Sequence, residues 1–273
     1  MKRLNNNTEI EIWGQRMFIN PNDTVISKEL IGHKVWEPLE TKIIQENIKA
    51  GMTCIDIGAH IGYYTLLMSK LVGDRGKVYA FEPDPTNYKL LRQNIDANGI
   101  QNVVAEQKAV WKKKDKIKLY LSPDNTGDHR IYQANVQPHP TNRQEVEVEA
   151  IRLDTYFAKI DSKINFIKMD IQGAECQALT GARRILSDNK DLKITTEYWT
   201  EGLEGAGTSA KEFIELLEWY KFKIYVLNKI KNKVEEKGKE EIINLFPPQK
   251  HKIERHADLF CVKENGIEKE VKE

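Results

Sequence analysis

The feature that most constrains this chain is an order of short buried strand, turn and helix that begins at Gly51 and repeats. Met52-Thr53-Cys54-Ile55-Asp56-Ile57 reads as a buried strand, and residues 61–71 as a helix stopped by Gly73 and Gly76. Lys77–Phe81 is a second strand, residues 85–98 a second helix closed by Gly99, and residues 103–109 a third strand. After an interruption the rhythm returns, with strands at 164–169, 192–197, 222–227 and 259–262 and helices at 174–186 and 210–220. Strands joined through helices form a mostly parallel sheet with right-handed crossovers. Ligands in such sheets sit beyond the carboxyl ends of the strands, near the switch in strand order.

The expected architecture is therefore Rossmann-like α/β, a mostly parallel seven-stranded sheet with helices on both faces. Residues 1–50 read as an N-terminal β/helix extension. Ile10, Ile12 and Trp13 precede a turn at Gly14 and the strand Met17-Phe18-Ile19, and residues 36–49 place Leu39, Ile43, Ile44 and Ile48 near helical spacing. Residues 115–150 read as an inserted β-hairpin or lid. Ile117-Lys118-Leu119-Tyr120-Leu121 and Val146-Glu147-Val148-Glu149 alternate like antiparallel strands around a polar loop. The charged segment 229–241 reads as an exposed turn, and 266–273 as a charged tail to a domain spanning 51–265.

Charge narrows the classes of partner. Lys plus Arg number 42 against 41 Asp plus Glu, a net charge of +1, which gives no global pull toward nucleic acid or anionic lipid. No stretch approaches the roughly 20 apolar residues that span a bilayer. The opening Met1-Lys2-Arg3-Leu4-Asn5-Asn6-Asn7 lacks the apolar core of a secretory leader. Cys54, Cys176 and Cys261 are few, odd in number and widely spaced, which suits reduced thiols. A cytoplasmic setting is expected, with no membrane partner.

Three motifs carry chemistry. In Asp56-Ile57-Gly58-Ala59-His60-Ile61-Gly62, Gly58 permits a sharp turn and close backbone approach to a ligand, and Gly62 lets the helix start pack near it. Amides at that helix start can bind a carboxylate, and Asp56 can accept from an ammonium or fix the loop. Glu82, directly after the second strand, can take both hydroxyls of a ribose and disfavours a 2′-phosphate. In Lys168-Met169-Asp170-Ile171-Gln172-Gly173-Ala174-Glu175, Asp170 ends a strand, Gly173 permits a tight turn, and Glu175 lies in the first turn of a helix. Asp170 and Glu175 can contact a substrate hydroxyl or the cofactor's amine, or can serve as turn cap and helix-dipole partner.

These motifs, in this order, resemble the FkbM family of methyltransferases over residues 35–200. Gly51-Met52 through Gly62-Tyr63-Tyr64-Thr65 resembles the family's opening signature, and Phe81-Glu82-Pro83 its second motif. The segment from Lys168 to Glu175 is similar to its Lys-x-Asp-x-Glu/Gln-Gly-x-Glu element. The resemblance implies a class I methyltransferase fold, S-adenosyl-L-methionine as cofactor, and O-methylation of a sugar, glycan or natural-product hydroxyl. It implies that Asp56, Gly58 and Gly62 line the methionyl part, that Glu82 binds the ribose, and that Asp170 and Glu175 lie beside the methyl donor. His60 stands where the family usually has Asn, and its imidazole is expected to hold the loop.

A hydroxyl acceptor gains from a general base. Asp170, Glu175 and His129 are the candidates, the last in Asp124-Asn125-Thr126-Gly127-Asp128-His129-Arg130 of the insertion, with Arg130 beside it as a possible anion site. No metal site is expected, because His251, His256 and Asp258 form no tight ligand set and neither C-x-x-C nor H-E-x-x-H occurs. Competing readings are an RNA ribose 2′-O-methyltransferase drawing on Asp170, Glu197, Lys42 and the basic run 108–118 around Trp111, and a non-catalytic cofactor-binding module. A nicotinamide enzyme would need G-x-G-x-x-G at the first strand, which is absent.

Overall fold

The structure is a computed structural model that describes residues 3–4, 7–123, 125–133, 143–160, 162–246 and 256–263. His251, Asp124 and the tail 266–273 lie outside the described residues. A small antiparallel sheet opens the chain, formed by β1 (Arg3–Leu4), β2 (Asn7–Ile12) and β3 (Gln15–Ile19). Its hairpin turns through Trp13 and Gly14 at φ 54° and 75°, as a tight two-residue connection requires. Helices α1 (Ile26–His33) and α2 (Pro38–Asn47) follow. Asp23 prepares α1 by accepting from the Val25 and Ser27 amides at 3.0 and 3.2 Å, and Pro38 sits at the first position of α2, where its missing N–H costs nothing.

The core then runs β4 (Thr53–Ile57), α3 (Tyr63–Val72), β5 (Lys77–Phe81), α4 (Pro85–Ala97) and β6 (Val103–Glu106). The insertion contributes β7 (Ala109–Val110), β8 (Asp115–Tyr120) and β9 (Glu145–Ile151), followed by the short α5 (Leu153–Tyr156). The core resumes with β10 (Phe166–Met169), α6 (Glu175–Thr180), α7 (Arg183–Asp188), β11 (Lys193–Trp199), α8 (Thr200–Gly205) and α9 (Ala210–Trp219). It closes with β12 (Phe222–Asn228), β13 (Lys233–Glu236), α10 (Lys239–Ile243) and β14 (His256–Lys263).

Among the described residues the central sheet has eight strands in the order β13-β12-β14-β11-β10-β4-β5-β6. The five from β11 to β6 are mutually parallel, and β14 lies antiparallel between β11 and β12. Alternate residues of the inner strands feed the two faces. Ile55, Ile57, Phe81 and Met169 pack against α5, α6, α7 and α9, while Cys54, Val78, Ala80 and Phe166 pack against α2, α3, α4 and the N-terminal sheet. The extension is thus part of one covering layer and shares its apolar core.

Three expectations need correction. The sheet has eight strands rather than seven because part of the charged segment 229–241 folds back as β13 on β12. An edge strand pairs on one side only and buries little, so a charged sequence suits it and hides it. The helix expected over 174–186 is broken at Gly181, where a Cβ would come within 2.3 Å of the Trp111 carbonyl oxygen. The strand expected over 103–109 ends at Glu106, and Ala109–Val110 joins β9 in a separate three-stranded sheet. That sheet includes the expected hairpin, with Ile117 opposite Val148.

The insertion carries a buried charge network. The Asp128 carboxylate accepts from Arg130 Nε and Arg143 Nη2 at 2.5 Å each, and all three side chains are less than a tenth exposed. Removing one member leaves buried charge uncompensated. Asp128→Ala is therefore expected to lower stability by about 3 kcal/mol or more, read as a shifted midpoint in denaturant unfolding. No helix among the described residues is long and apolar enough to cross a membrane, and the three cysteines are free and buried.

Candidate active site

Three loops meet because three strands end in register. Ile57 of β4 pairs with Phe81 of β5 on one side and Met169 of β10 on the other. Gly58, Glu82 and Asp170 therefore leave the sheet side by side at its carboxyl end. Backbone bonds fix the junction: the Gly58 and Ala59 amides both donate to the Phe81 carbonyl at 3.0 Å, and the Asp170 amide donates to Ile57 at 3.1 Å. Gly58 has φ 78°, and a Cβ there would fall 2.0 Å from the Asp170 carbonyl oxygen. Only glycine lets the β4 and β10 loops approach this closely.

Glu82 is buried and tied on both sides. Its Oε2 accepts from the His60 amide at 2.8 Å, and its Oε1 accepts from the Asp84 amide at 2.9 Å. Each oxygen keeps a lone pair for a further donor. Burial pushes the carboxyl up to about 8. Glu82 lines a narrow cleft of about 60 Å³ together with Phe81, Pro83, Ala109, Val110 and, from the insertion, His129 and Ile131.

A larger cavity of about 520 Å³ adjoins it and shares Gly58, His60, Gly127, Asp170 and Gln172. Trp36, Tyr63, Tyr64 and Trp199 wall this cavity. The same cavity is lined by a carboxylate pair held by one amide: Gln172 Nε2 donates to Asp170 Oδ1 at 2.8 Å and to Glu197 Oε2 at 3.2 Å. Gln172 adopts φ 54°, an uncommon conformation without glycine, and the strain places its amide between the two acids. Lys168 Nζ lies 3.4 Å from Asp170 Oδ2 and 4.8 Å from the centre of the Tyr64 ring. Burial opposes the Lys168 charge, but Asp170, Glu40, Asp56 and Glu37 outweigh it and hold the ammonium above its ordinary range. Burial, then the charges of Asp170 and Glu175, push the Glu197 carboxyl well up.

The far wall comes from the extension and the antiparallel edge. Lys229 Nζ lies 2.8 Å from both Glu37 Oε1 and Asp258 Oδ2. Tyr64 donates toward Glu40 at 2.9 Å and Glu37 at 3.2 Å. Glu37, Glu40 and Asp258 bring one oxygen each within 4.8 Å of one another, a grouping that no sequence motif announces. Burial, then the Glu37 charge, lift Asp258 to about 7.

His60, at φ 50°, is neutral because burial lowers its ring to about 4, and its Nε2 lies 2.8 Å from Thr126 Oγ1. It joins the glycine loop to the insertion. Asp56 is buried behind that loop, with Oδ2 accepting from the Thr65 hydroxyl at 2.5 Å and Oδ1 without a partner. Gly62, at φ 94°, lies against Leu91. Glu175 lines neither cavity; its carboxylate accepts from the Ile171 amide at 3.0 Å, and burial lifts it to about 7. It braces the turn that carries Gln172. His129 lines the narrow cleft and not the larger cavity.

Two further residues do not reach the site. Arg130 is buried 4.4 Å from the centre of the Trp199 ring, paired with Asp128, and lines neither cavity. Lys42 is exposed on α2 and lies 3.8 Å from Glu46. In the basic run, Lys108 borders the cleft with its ammonium 2.8 Å from Glu106, and Lys112 lies over Trp111.

The raised carboxyls set a pH dependence. Between about pH 5 and 8 the unfolded chain has already released protons that Glu82, Glu175 and Asp258 still hold in the native state. The native state then binds more protons than the unfolded one, so stability falls as pH rises. The cofactor-free protein is expected to lose on the order of 2 kcal/mol between about pH 7 and 8.5, measured by denaturant unfolding at each pH. A flat profile would remove the buried-proton assignment.

A glycine loop, an acid ending the second core strand and an acid ending the fourth thus gather at one sheet end. The chain belongs to the FkbM methyltransferase family: the profile of the methyltransferase FkbM domain matches residues 56–224. The domain's cofactor is S-adenosylmethionine. The chain is 25% identical over 142 residues to Methyltransferase 1 of Beauveria bassiana, covering 46% of this chain and 57% of that one. It is 41% identical over 56 residues to a protein-L-isoaspartate O-methyltransferase of Methanococcoides burtonii, covering 20% and 28%. It thus spans between about a quarter and three-fifths of the length of these relatives. Among solved structures, an S-adenosylmethionine-dependent O-methyltransferase of Thermotoga maritima superposes with TM-score 0.48 at 14% identity, covering 94% of this chain and 77% of that one.

The residues fit the cofactor. The Gly58 approach to Asp170 leaves backbone where a side chain would stand, Glu82 keeps lone pairs for two hydroxyls, and the cleft beside it is narrow and apolar-walled.

Proposed function

We propose that the chain transfers a methyl group from S-adenosylmethionine to a hydroxyl of a neutral, polyhydroxylated small molecule, a sugar, glycan or natural-product-like acceptor. The observation that carries this reading is the Asp170–Gln172–Glu197 array lining an aromatic-walled cavity next to the Gly58 loop. Carboxylates bind hydroxyl donors, and aromatic faces pack on the C–H faces of rings. The two lysines of the cavity already face several carboxylates, which disfavours an anionic acceptor.

The cofactor supplies an already activated methyl group, so position and proton handling fall to the protein. Glu197 and Asp170 accept hydrogen bonds from the acceptor. Asp170, opposite the Gly58 loop, takes the hydroxyl proton, and Lys168 keeps its carboxylate in place. Glu37 and Trp36 close the cavity from the extension. The RNA reading shares Asp170 and Glu197 with this one, whereas its third group, Lys42, is exposed on α2 and lines neither cavity.

Methyl-labelled cofactor offered to monosaccharides, glycosides and phenolic glycosides, with RNA and simple amines alongside, tests the assignment. Label is expected on hydroxyl acceptors. Label on RNA alone, or no transfer to any member, would remove it. With an acceptor in hand, Asp170→Asn is expected to lower turnover about 100-fold or more while S-adenosylhomocysteine affinity stays within about threefold.

A further inference from the structure

We infer that His129, supplied by the insertion, is an adenosine-binding residue whose Nε2–H donates a hydrogen bond to the cofactor's nucleoside in the narrow cleft. The ring's tautomer follows from its neighbour. Nδ1 accepts from the Ser122 amide at 3.0 Å, so the proton of the neutral imidazole is on Nε2. Burial lowers the ring's affinity for a second proton and keeps it neutral.

Nε2–H has no hydrogen-bond acceptor among the described residues. The nearest carboxylate oxygen, Asp84 Oδ2, is 4.0 Å away, beyond a hydrogen bond. Asp84 is otherwise committed to α4, with Oδ1 accepting from the Thr86 and Asn87 amides at 3.0 and 2.8 Å. Yet the His129 side chain is only 11% exposed. A donor with no protein acceptor, on a side chain this enclosed, gains from an acceptor that a ligand in the cleft supplies. The cleft it lines is the one that Glu82 lines. Adenosine presents ribose oxygens and ring nitrogens as acceptors, and a neutral donor suits an uncharged nucleoside.

The segment bearing His129 is held in place over the cleft. Thr126 Oγ1 lies 2.8 Å from His60 Nε2, and the Thr126 carbonyl accepts from Asn87 Nδ2 at 3.1 Å. Arg143 anchors the next residues through Asp128. His129 is thus placed on the nucleoside side of the transfer point and away from the acceptor cavity.

The test uses calorimetry on the full chain with two probes, S-adenosylhomocysteine and 5′-methylthioadenosine, which keeps the nucleoside but lacks the amino-acid half. His129→Ala is expected to weaken both by about tenfold. Two isosteric variants separate binding from scaffolding. Glutamine carries its amide nitrogen where Nε2 lies, and asparagine carries its oxygen where Nδ1 lies. His129→Gln is expected to recover affinity to within about threefold of the parent, and His129→Asn to remain weak. This order can be read even where the alanine variant fails to fold. Unchanged affinity in His129→Ala, loss confined to S-adenosylhomocysteine, or rescue by asparagine in place of glutamine would each overturn the assignment.

Discussion

Gly58→Ala is expected to abolish detectable binding of S-adenosylhomocysteine and to cost the fold about 3 kcal/mol or more. The backbone there has φ 78°, where any Cβ is strained, and the new atom would fall 2.0 Å from the Asp170 carbonyl oxygen. That neighbour is main chain and cannot rotate away. It is also fixed, because the Asp170 amide is bonded to Ile57. Relief must come from separating the β4 and β10 loops, which moves Asp170 and opens the cleft together. Denaturant unfolding and calorimetry on the same preparation read both effects. A variant that keeps parental stability and binds within about tenfold would show that the two loops need not approach so closely.

Glu82→Ala is expected to weaken cofactor binding by about 1,000-fold, as loss of two hydrogen bonds to a buried carboxylate implies. The effect has two sources. The hydroxyls of the ribose lose their acceptors, and the His60 and Asp84 amides lose theirs, so both flanking loops loosen. Glu82→Gln keeps one oxygen and is expected to fall between, at about tenfold to a hundredfold. Because burial holds the free carboxyl at about 8, engagement by hydroxyl donors favours its ionised form, and binding near neutral pH is expected to release a proton. Calorimetry in buffers of different ionisation enthalpy measures that proton. Glu82→Ala binding as tightly as the parent would detach the ribose from this residue.

The part of the site that could be read in the chain is the part built from local pattern. The apolar runs of β4 and β5, the glycines after β4 and the acid after β5 place Gly58 and Glu82 at strand ends, and parallel pairing sets them side by side. Asp170 follows by the same logic from β10. The acceptor cavity was not readable in this way. Glu197 and Asp258 become neighbours only through the antiparallel register of β11 and β14, and Trp36 and Glu37 arrive from an extension that carries no motif. Gln172 lay inside a recognised segment, but its bridging role depends on a positive φ that residue type does not announce. Glu175 sits as an acid in the first turn of α6 usually does, bonded to the backbone of the preceding turn. His129 could be placed in the insertion from sequence, but only the fold shows which cavity it lines. The missed eighth strand has a similar cause, since a four-residue edge strand, Lys233-Val234-Glu235-Glu236, has no buried face to give it a pattern.

A crystal structure of the chain with S-adenosylhomocysteine tests the central claim most directly. The prediction is a nucleoside between Phe81 and Ala109 with its ribose on Glu82, and a sulfur atom beside Gly58 and Asp170 facing the cavity walled by Trp36 and Trp199. A nucleoside seated elsewhere, or a sulfur turned away from the Asp170–Glu197 pair, would contradict it.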